Sequence, residues 1–521
     1  MLPSQHWASN FKVDADDIDY LMHLLLEKET PLTTQDLAHA LVENRLQQEA
    51  DALEERYKDT KVYVPSGTFK EGQRLVFPHL SFATGTVVGT RSGNNQDYGD
   101  FNVIEVEFED SKTTHFASDL QVSHKLSEQV DDTAENPLIS GQITAEEIFE
   151  TASTRIIAQL EKHLQSLDEL VTVAHHWFPK GLLLQPDEGH HHLAEAVLDM
   201  YGGGPLHTEQ ILEEIGGIGN SPMSLQIFSM NFSMNQDNRF EEVGPSGQIL
   251  WYLKRMAPED IVKVPEMLQY STIDYDPALL GDEMVYMEAE IDDELSDIDI
   301  EYTADSGTVT LIYPHRRTGS LPLNSRVRHL FPTAQRTEHV WIRLIDSQDE
   351  EEFEGWVIPK QGYVYGLGKL YAKHALPIGA QVTVKRGDTP EKFVIQFEAY
   401  KPRTEWIRLI LPKGDSFQFE NSKRAIGADY DDLMVLGIDD LEALDTTLTT
   451  IRKQRRTLAS LLMMIIPALG KLTPQGTAHI KTIYSTINVL RRCPPGPIMA
   501  ILEANPDFEN VGGHYWKLSD A

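Results

Sequence analysis

The sequence predicts an α+β protein of several domains, in which winged-helix modules are combined with small β-barrels of SH3-like and pseudobarrel type. Two observations lead to this fold class. Stretches with apolar residues at helical spacing alternate with groups of short strands separated by Gly, Pro and Asn. In addition, one pattern of Phe, Gly and Trp that suits a β-hairpin after helices occurs twice along the chain. The length of 521 residues predicts three to five folding units.

The N-terminal third is predicted to contain helices, then a small barrel, then helices again. Apolar residues at helical spacing predict a helical, HTH-like domain over residues 14–60. Short strands punctuated by Gly and Pro predict an SH3-like barrel over residues 61–121. Residues 122–142 are polar and acidic, as in a linker, and residues 143–182 are predicted to form a helical segment.

The clearest local signature lies in residues 183–257. Gly202 and its two glycine neighbours end a first helix, and Ser221 with the proline after it opens the third. A strand from Phe240 and a returning strand through Trp251 follow. Three helices closed by a two-stranded hairpin are typical of a winged helix.

The same hairpin pattern returns at the end of the chain. Phe240 and Gly244 precede Trp251, and Phe508 and Gly512 precede Trp516. In both copies the Phe begins the first strand, the Gly permits the turn and the Trp anchors the returning strand. Residues 456–521 are therefore predicted to form a second winged helix. Chance similarity of two short hairpins is the alternative.

The central part of the chain is divided by charge. The net charge is −36, which by itself argues against nucleic-acid binding. However, residues 264–315 hold 14 Asp and Glu and no Lys or Arg, whereas residues 310–410 hold 15 Lys and Arg against 11 Asp and Glu. This segregation predicts an acidic segment over residues 258–305 that competes with nucleic acid for the basic surface of the domain behind it.

The rest of the C-terminal half is predicted from strand patterns and charge. Residues 306–412 contain several short β-rich runs, which indicate a β-barrel. Residues 413–455 are acidic and less periodic, and they are predicted to be a linker that ends in the basic start of a helix.

One segment of the chain resembles a known family. The resemblance is carried by Gly204-Pro205-Leu206-His207-Thr208, by Ile211 and Ile215, and by Phe240, Val243, Gly244 and Trp251. These residues resemble the HARE-HTH family, a winged-helix module found in the delta subunit of bacterial RNA polymerase and beside some restriction endonucleases. Residues 17–45 resemble the first half of the same module, with Thr30-Pro31-Leu32-Thr33-Thr34 at the corresponding place and no recognisable wing. Together these segments cover about a fifth of the chain, and the family implies a role in transcription.

A weaker resemblance concerns residues 340–397. It is carried by Trp356, Gly362-Tyr363-Val364, Leu370-Tyr371 and Leu376-Pro377-Ile378-Gly379 before a strand at Val382. These residues are similar to DNA-binding pseudobarrels of the B3 type, which implies contact with duplex DNA through basic loops. The candidate contact residues are Arg316, Arg317, Arg326 and Arg328.

Other candidate nucleic-acid contacts lie outside that barrel. One basic run precedes the C-terminal helices and a pair of arginines follows later, namely Arg452, Lys453, Arg455 and Arg456, then Arg491 and Arg492. These residues are expected to contact phosphate, or alternatively to form a solvated helix face that balances nearby acids. The third helix of the winged helix predicted over residues 183–257 has no Lys or Arg. Its candidates for base reading are Gln226, Asn231 and Asn235. The absence of local cations favours protein binding as the alternative for this helix.

Several function classes are not supported by the sequence. The single Cys493 cannot form a disulfide within the chain, which suits a reducing cytoplasm, and neither a signal peptide nor a membrane-spanning run is evident. The histidines at 175–176 and 190–192 lack metal-ligand spacing, so no metal or other cofactor is expected. No catalytic motif stands out, and an enzyme acting on a small molecule is the least supported class.

Three functional hypotheses remain open from the sequence. The leading one is a non-enzymatic, transcription-associated protein that binds DNA and RNA polymerase or another protein complex. The second is a DNA-recognition component of a restriction or defence system. The third is a protein-interaction adaptor without affinity for nucleic acid.

Overall fold

The chain is described by a computed structural model that covers residues 11–80, 82–95, 98–108, 112–122, 144–298, 300–333 and 337–519. Its architecture is mixed α and β, and the chain divides into two compact units, residues 1–184 and 185–521. Apart from residue 122, the predicted acidic linker at 122–142 lies outside the described residues.

Over its described residues, the first unit contains three helices and two separate sheets. In chain order its elements are α1 (Ala15–Lys28), β1 (Leu32–Thr33), α2 (Thr34–Tyr57), β2 (Lys61–Val62), β3 (Arg74–Phe77), β4 (Ala83–Ser92), β5 (Asn102–Phe108), β6 (Thr113–Ser118), α3 (Ala145–Leu164), β7 (Leu170–Val173) and β8 (His176–Pro179). Each helix begins at a capping box, in which the side chains of the N-cap and the third helical residue satisfy backbone N–H groups. Local sequence therefore sets where the three helices start.

The helices of the first unit form one core with β1, β7 and β8. These strands precede and follow, in the sequence, an inserted sheet made of β2 to β6. Leu25, Leu37 and Ile156 are fully buried in this core, and Trp177 closes it. Strand β8 lies between β1 and β7, antiparallel to both. Residues 14–60 and 143–182, which the sequence suggested as separate pieces, are thus one body, and strands β7 and β8 supply the hairpin that seemed to be missing.

The inserted sheet has five strands in the order β2 to β6, as the predicted strand pattern for residues 61–121 requires. Its core consists of aromatic and branched side chains, among them Tyr63, Phe77 and Ile104. Backbone N–H groups of Asp119 and Leu120 donate to carbonyls near β2, and this brings the last strand back toward the first. The sheet is therefore curled rather than flat.

The second unit holds the remaining elements. Its helices are α4 (Glu188–Met200), α5 (Thr208–Ile215), α6 (Met223–Met234), α7 (Glu259–Val262), α8 (Asp282–Ile291), α9 (Tyr313–Thr318), α10 (Gly368–Lys373), α11 (Leu441–Lys453), α12 (Leu458–Gly470), α13 (Ile480–Leu490) and α14 (Pro495–Ala504). Its strands are β9 (Leu206–His207), β10 (Phe240–Glu242), β11 (Leu250–Leu253), β12 (Ser306–Thr310), β13 (Ser320–Pro322), β14 (Val340–Asp346), β15 (Glu352–Ile358), β16 (Tyr363–Tyr365), β17 (Gln381–Arg386), β18 (Lys392–Gln396), β19 (Ala399–Lys413), β20 (Ser416–Ala428), β21 (Leu436–Ile438), β22 (Ala478–His479), β23 (Phe508–Asn510) and β24 (Tyr515–Leu518).

One arrangement of three helices and three strands occurs three times. The strand orders are β1-β8-β7, β9-β11-β10 and β22-β24-β23, and in each sheet the returning hairpin strand is central. The registers agree, because Leu32 faces Trp177, Leu206 faces Trp251, and Ala478 faces Trp516. The hairpin pattern that the sequence repeats thus lies at the same place in the second and third copies. Only the first half of the first copy was recognised in the sequence, because the inserted sheet separates it from its hairpin.

A seven-stranded mixed sheet occupies the centre of the second unit, in the order β12-β17-β18-β14-β15-β16-β13. Its core is formed by branched and aromatic residues such as Leu311, Val382 and Phe393. The predicted boundary at residue 412 falls inside a long hairpin, because β19 pairs with β20 beyond it. Residues 413–455, which were expected to be a linker, contain β20, β21 and α11.

The acidic segment, residues 258–305, packs against the protein instead of being a free competitor for the basic surface. Met284, Met287 and Ile291 of α8 are buried in the core that α12, α13 and α14 also form. The sequence prediction of a free acidic competitor for the basic surface is therefore corrected. Its apolar residues recur at helical spacing, and their burial fixes the segment in place.

Candidate functional site: an arginine pocket

The predicted base-reading residues of α6 have structural roles. Gln226 is buried, and its amide accepts from the N–H of Ile218 and donates to the carbonyl of Ser221. Asn231 is also buried, and its Oδ1 accepts from Nε1 of Trp251 at 2.8 Å. Asn235 is exposed at the end of the helix. Two of the three residues therefore cannot reach a base in this conformation.

The predicted basic loops of the central sheet are mostly engaged inside the molecule. Nε of Arg316 donates to the carbonyl of Leu376 at 2.6 Å, and Arg317 pairs with Asp445 at 3.2 Å. Arg326 donates to the carbonyls of Ala289 and Glu290 and lies 3.5 Å from the carboxylate of Asp292. Arg328 is exposed and makes a single long contact, 3.5 Å, to the carbonyl of Ile298. Of these four arginines, Arg328 is the one most available to a ligand.

Five other predicted residues meet at one opening. The end of α11 and the turn after it contribute Arg452, Arg455 and Arg456, and the end of α13 contributes Arg491 and Arg492. Together with Leu461 and Leu490 and a stretch of the acidic segment, they line a cavity of about 390 Å³, which we call the arginine pocket. Lys453 is exposed and does not line it. Two basic runs that are far apart in sequence are thus joined in one site.

The five guanidinium groups differ in how they are neutralised. Arg452 pairs with Glu266 at 2.6 Å, and Arg456 pairs with Asp415 at 2.9 Å. Within the part of the chain that the structure describes, Arg455 and Arg491 have no carboxylate within ion-pair distance. Exposed pairs of this kind contribute little to stability, so a stronger anion can displace their carboxylates.

The backbone at Arg455 is held in the left-handed region, with φ of 48°. Glycine is favoured at such a position after a helix, because a side chain there costs roughly 1–2 kcal/mol. An arginine at this position therefore has a cost in stability, and residues held in such conformations cluster at functional sites.

Arg492 fixes the floor of the pocket from within the core. Its side chain is fully buried, with Nη1 donating to Asp293 at 2.8 Å and Nη2 lying 2.6 Å from both Asp293 and Glu294. Nε2 of His315 lies 2.9 Å from Glu294, and the hydroxyl of Tyr484 donates to Asp293. Burial alone would raise the pKa of Glu294, but the charges of Arg492 and His315 hold that pKa well below its usual value.

The sequence could not identify the acidic side of the pocket. Glu266, Met267, Gln269 and Ser271 line it, and they belong to the segment that was expected to compete with nucleic acid. The sequence offered one indication, a lack of basic residues, because Lys263 is the last Lys or Arg before a long acidic run. Chemically, several planar guanidinium groups around a concavity can bind phosphate or carboxylate oxygens in bidentate fashion.

The histidine-rich patch has protein partners instead of converging on one point. His190 pairs with Asp187, His192 lies 3.3 Å from Glu188, and His191 contacts Asp237 and Ser233 at 2.9 and 2.7 Å. Among the residues described, no group of His, Cys, Asp and Glu has the arrangement needed to hold a metal ion. Over the same residues, no helix combines the length and apolar character that crossing a bilayer requires.

Comparison of the chain with protein-family models, with curated proteins and with solved structures finds no match.

Proposed function

We propose that this is a non-enzymatic, nucleic-acid-associated protein of transcription, built on winged-helix modules, whose arginine pocket binds backbone phosphate. The observation that carries the proposal is the meeting of five arginines at one opening, two of them without an acidic partner among the described residues. Phosphate contact by Lys and Arg supplies most of the affinity for nucleic acid. In a chain of net charge −36, such a local concentration of cations favours an anionic ligand.

The test is a salt titration of nucleic-acid binding to the full chain. The variant Arg455→Gly with Arg491→Ala removes the two unneutralised guanidiniums, and glycine at 455 also relieves the left-handed backbone. We expect weaker binding and a smaller dependence of log K on log salt concentration, by about 1 per lost phosphate contact. The matched control is Lys385→Ala with Lys401→Ala, which removes two exposed cations that do not line this pocket.

A variant that removes a negative charge from the pocket tests the proposal in the opposite direction. Glu266→Gln removes the carboxylate that neutralises Arg452, so binding should become tighter. Its control is Glu283→Gln, an exposed acid of the same segment that does not line the pocket. If both pocket variants bind like their controls, the proposal is wrong.

A second candidate function is protein docking by the winged-helix-like residues 188–253. Helix α6 has no Lys or Arg, and several large apolar side chains on this body are exposed, with Met200 at 80%. The others are Leu193, Tyr201 and Met223. Several exposed apolar side chains on one folded body favour a protein partner, which in this proposal is RNA polymerase or another transcription complex. Cross-linking from position 200 with mass spectrometry would identify the partner, and the absence of cross-links would reject this role.

A further inference from the structure

A second, larger cavity adjoins the arginine pocket. Its volume is about 1140 Å³, and it shares two lining residues with the pocket, Gln269 and Ser271. These residues lie in a stretch that forms neither helix nor strand, between the acidic segment's first turns and α8. The two cavities therefore meet at one wall, and we call the larger one the long groove.

The lining of the long groove differs from that of the pocket. Its aromatic and ring-shaped side chains are Tyr270, His329, Phe331, Pro332 and Pro359. Tyr270 and His329 are half-buried, so part of each ring is accessible. Flat apolar and aromatic surfaces of this kind stack on nucleobases without selecting one base over another.

Cations flank the aromatic part of the long groove. Lys263 and Arg328 have no carboxylate within ion-pair distance among the residues the structure describes, and Lys360 makes a surface pair with Glu338 at 3.1 Å. Both Lys263 and Arg328 are exposed. A groove with aromatic side chains and flanking cations, next to an arginine pocket, has the two features that single-strand binding requires.

The third helices of the repeated modules do not offer an alternative way to read a duplex. Helix α6 has no Lys or Arg, and its polar residues Gln226 and Asn231 are buried. Helix α14 is buried along most of its length in the C-terminal core. Helix α3 begins with Glu146 and Glu147, which would repel phosphate. A recognition helix for a major groove normally carries exposed cations and amides.

We propose that the molecule binds single-stranded nucleic acid, with a backbone phosphate in the arginine pocket and unstacked bases in the long groove. This inference rests on the proposed function and specifies its ligand. A concave pocket beside a groove admits one flexible strand, whereas the bases of a duplex remain stacked inside the helix and cannot meet Tyr270.

The experiment measures fluorescence anisotropy of the full chain with labelled strands of about 15 nucleotides, a length that covers the usual single-strand site sizes. Single-stranded DNA, single-stranded RNA and a duplex of equal length form the three arms. We expect one or both single strands to bind roughly tenfold more tightly than the duplex. The DNA and RNA arms decide which strand is the ligand.

Variants of the groove test the stacking role. Tyr270→Leu keeps the apolar bulk but removes the ring face, and we expect roughly tenfold weaker single-strand binding, while Tyr270→Phe keeps the affinity. Tyr286→Leu, an exposed tyrosine of α8 that lines neither cavity, is the control. Arg328→Ala should weaken binding and reduce its salt dependence.

The outcomes separate this inference from the proposed function. Equal binding of duplex and single strands, or Tyr270→Leu binding like wild type, overturns the single-strand assignment alone, provided that the Arg455 and Arg491 variant still weakens binding. If neither duplex nor single strands bind, both proposals are overturned.

Discussion

Arg492 carries its charge where water is excluded, and two carboxylates compensate it. Removing an ionic partner from a buried group costs more than removing an exposed pair, because the remaining charges stay desolvated. Asp293 and Glu294 are both buried against this guanidinium. Arg492 therefore positions the end of α13, and with it the half-buried Arg491.

We predict that Arg492→Met lowers the free energy of unfolding by about 3–5 kcal/mol, because it removes the buried guanidinium that compensates Asp293 and Glu294. Arg317→Met, which removes a half-exposed partner of Asp445, should cost less than about 1 kcal/mol. Chemical denaturation followed by circular dichroism measures both values. A similar loss in the two variants would contradict the claim that burial decides the cost.

His479 gives the C-terminal module a pH-dependent stability. Its Nδ1 accepts from the N–H of Lys481 at the start of α13, which requires an unprotonated nitrogen. Burial, with His514 and Lys481 nearby, lowers the pKa of His479 from 6.5 to about 4, although Asp431 and Glu290 act in the opposite direction. The unfolded chain therefore takes up this proton at a higher pH than the folded chain does.

The sign of the effect follows from that difference. The stabilisation is fully present above pH 6.5, and it is lost progressively as the pH falls through about 4. His479→Asn keeps a good N-cap acceptor without a titrating group, so it should flatten the decline of unfolding free energy over this interval. Urea denaturation at a series of pH values measures it, with the exposed His163→Asn as control. A decline as steep as that of wild type in His479→Asn would refute this role.

At the scale of elements, each repeated module places a tryptophan of its central strand at the start of its second helix. Nε1 of Trp177 donates to Oγ1 of Thr34 at 2.9 Å, and Nε1 of Trp251 donates to Thr208 and Asn231. In the third module Ile480 follows the N-cap, and Nε1 of Trp516 has no partner among the described residues. The three modules thus share the packing of the tryptophan but differ in the hydrogen bonds that its Nε1 makes.

This difference yields a graded prediction. Thr34→Val should destabilise the first unit by about 1–3 kcal/mol, because the buried Nε1 of Trp177 loses its acceptor. Thr208→Val should cost less, because Asn231 still accepts from Trp251. Tryptophan fluorescence during denaturation measures both, and Thr34→Ser, which keeps the hydroxyl, should restore most of the loss. Equal costs at the two sites would show that the hydrogen bond is not the determinant.

The sequence predicted most elements because their signals are local. Capping boxes, glycine breaks and the Phe-Gly-Trp pattern fix helix starts and hairpins, and the second module is formed where these signals placed it. The first module was not seen whole, because its two halves are separated by the inserted sheet, and pairing of β1 with β8 is a non-local contact. The prediction that residues 258–305 are a free acidic segment was wrong, because it followed the charge and overlooked the apolar face of α8.

The site was predicted only in part for a related reason. Arg452, Arg455, Arg456, Arg491 and Arg492 could be named from basic runs, but their meeting depends on how α11 and α13 pack. The counter-ion Glu266 comes from a segment almost 190 residues away from Arg452. Gln226 and Asn231 were named as candidates for reading bases because sequence does not report which face of an apolar helix is buried.

At the scale of the whole molecule, both cavities belong to the second unit. Every residue that lines the arginine pocket or the long groove lies between 262 and 492. Among the described residues, the apolar cores of the second unit, residues 185–521, are built from residues of that unit. A unit with its own core is expected to fold independently.

We therefore predict that a fragment of residues 185–521 folds cooperatively and binds nucleic acid with the same salt dependence as the full chain. A fragment of residues 11–184 should fold around its separate core but lack this salt-dependent binding, because it contains none of the pocket arginines. Calorimetry of both fragments, with anisotropy titrations in parallel, tests this, and the larger fragment carrying Arg455→Gly and Arg491→Ala is the control. If the larger fragment folds but binds much more weakly than the full chain, the first unit must contribute contacts, and the site would not be confined to the second unit.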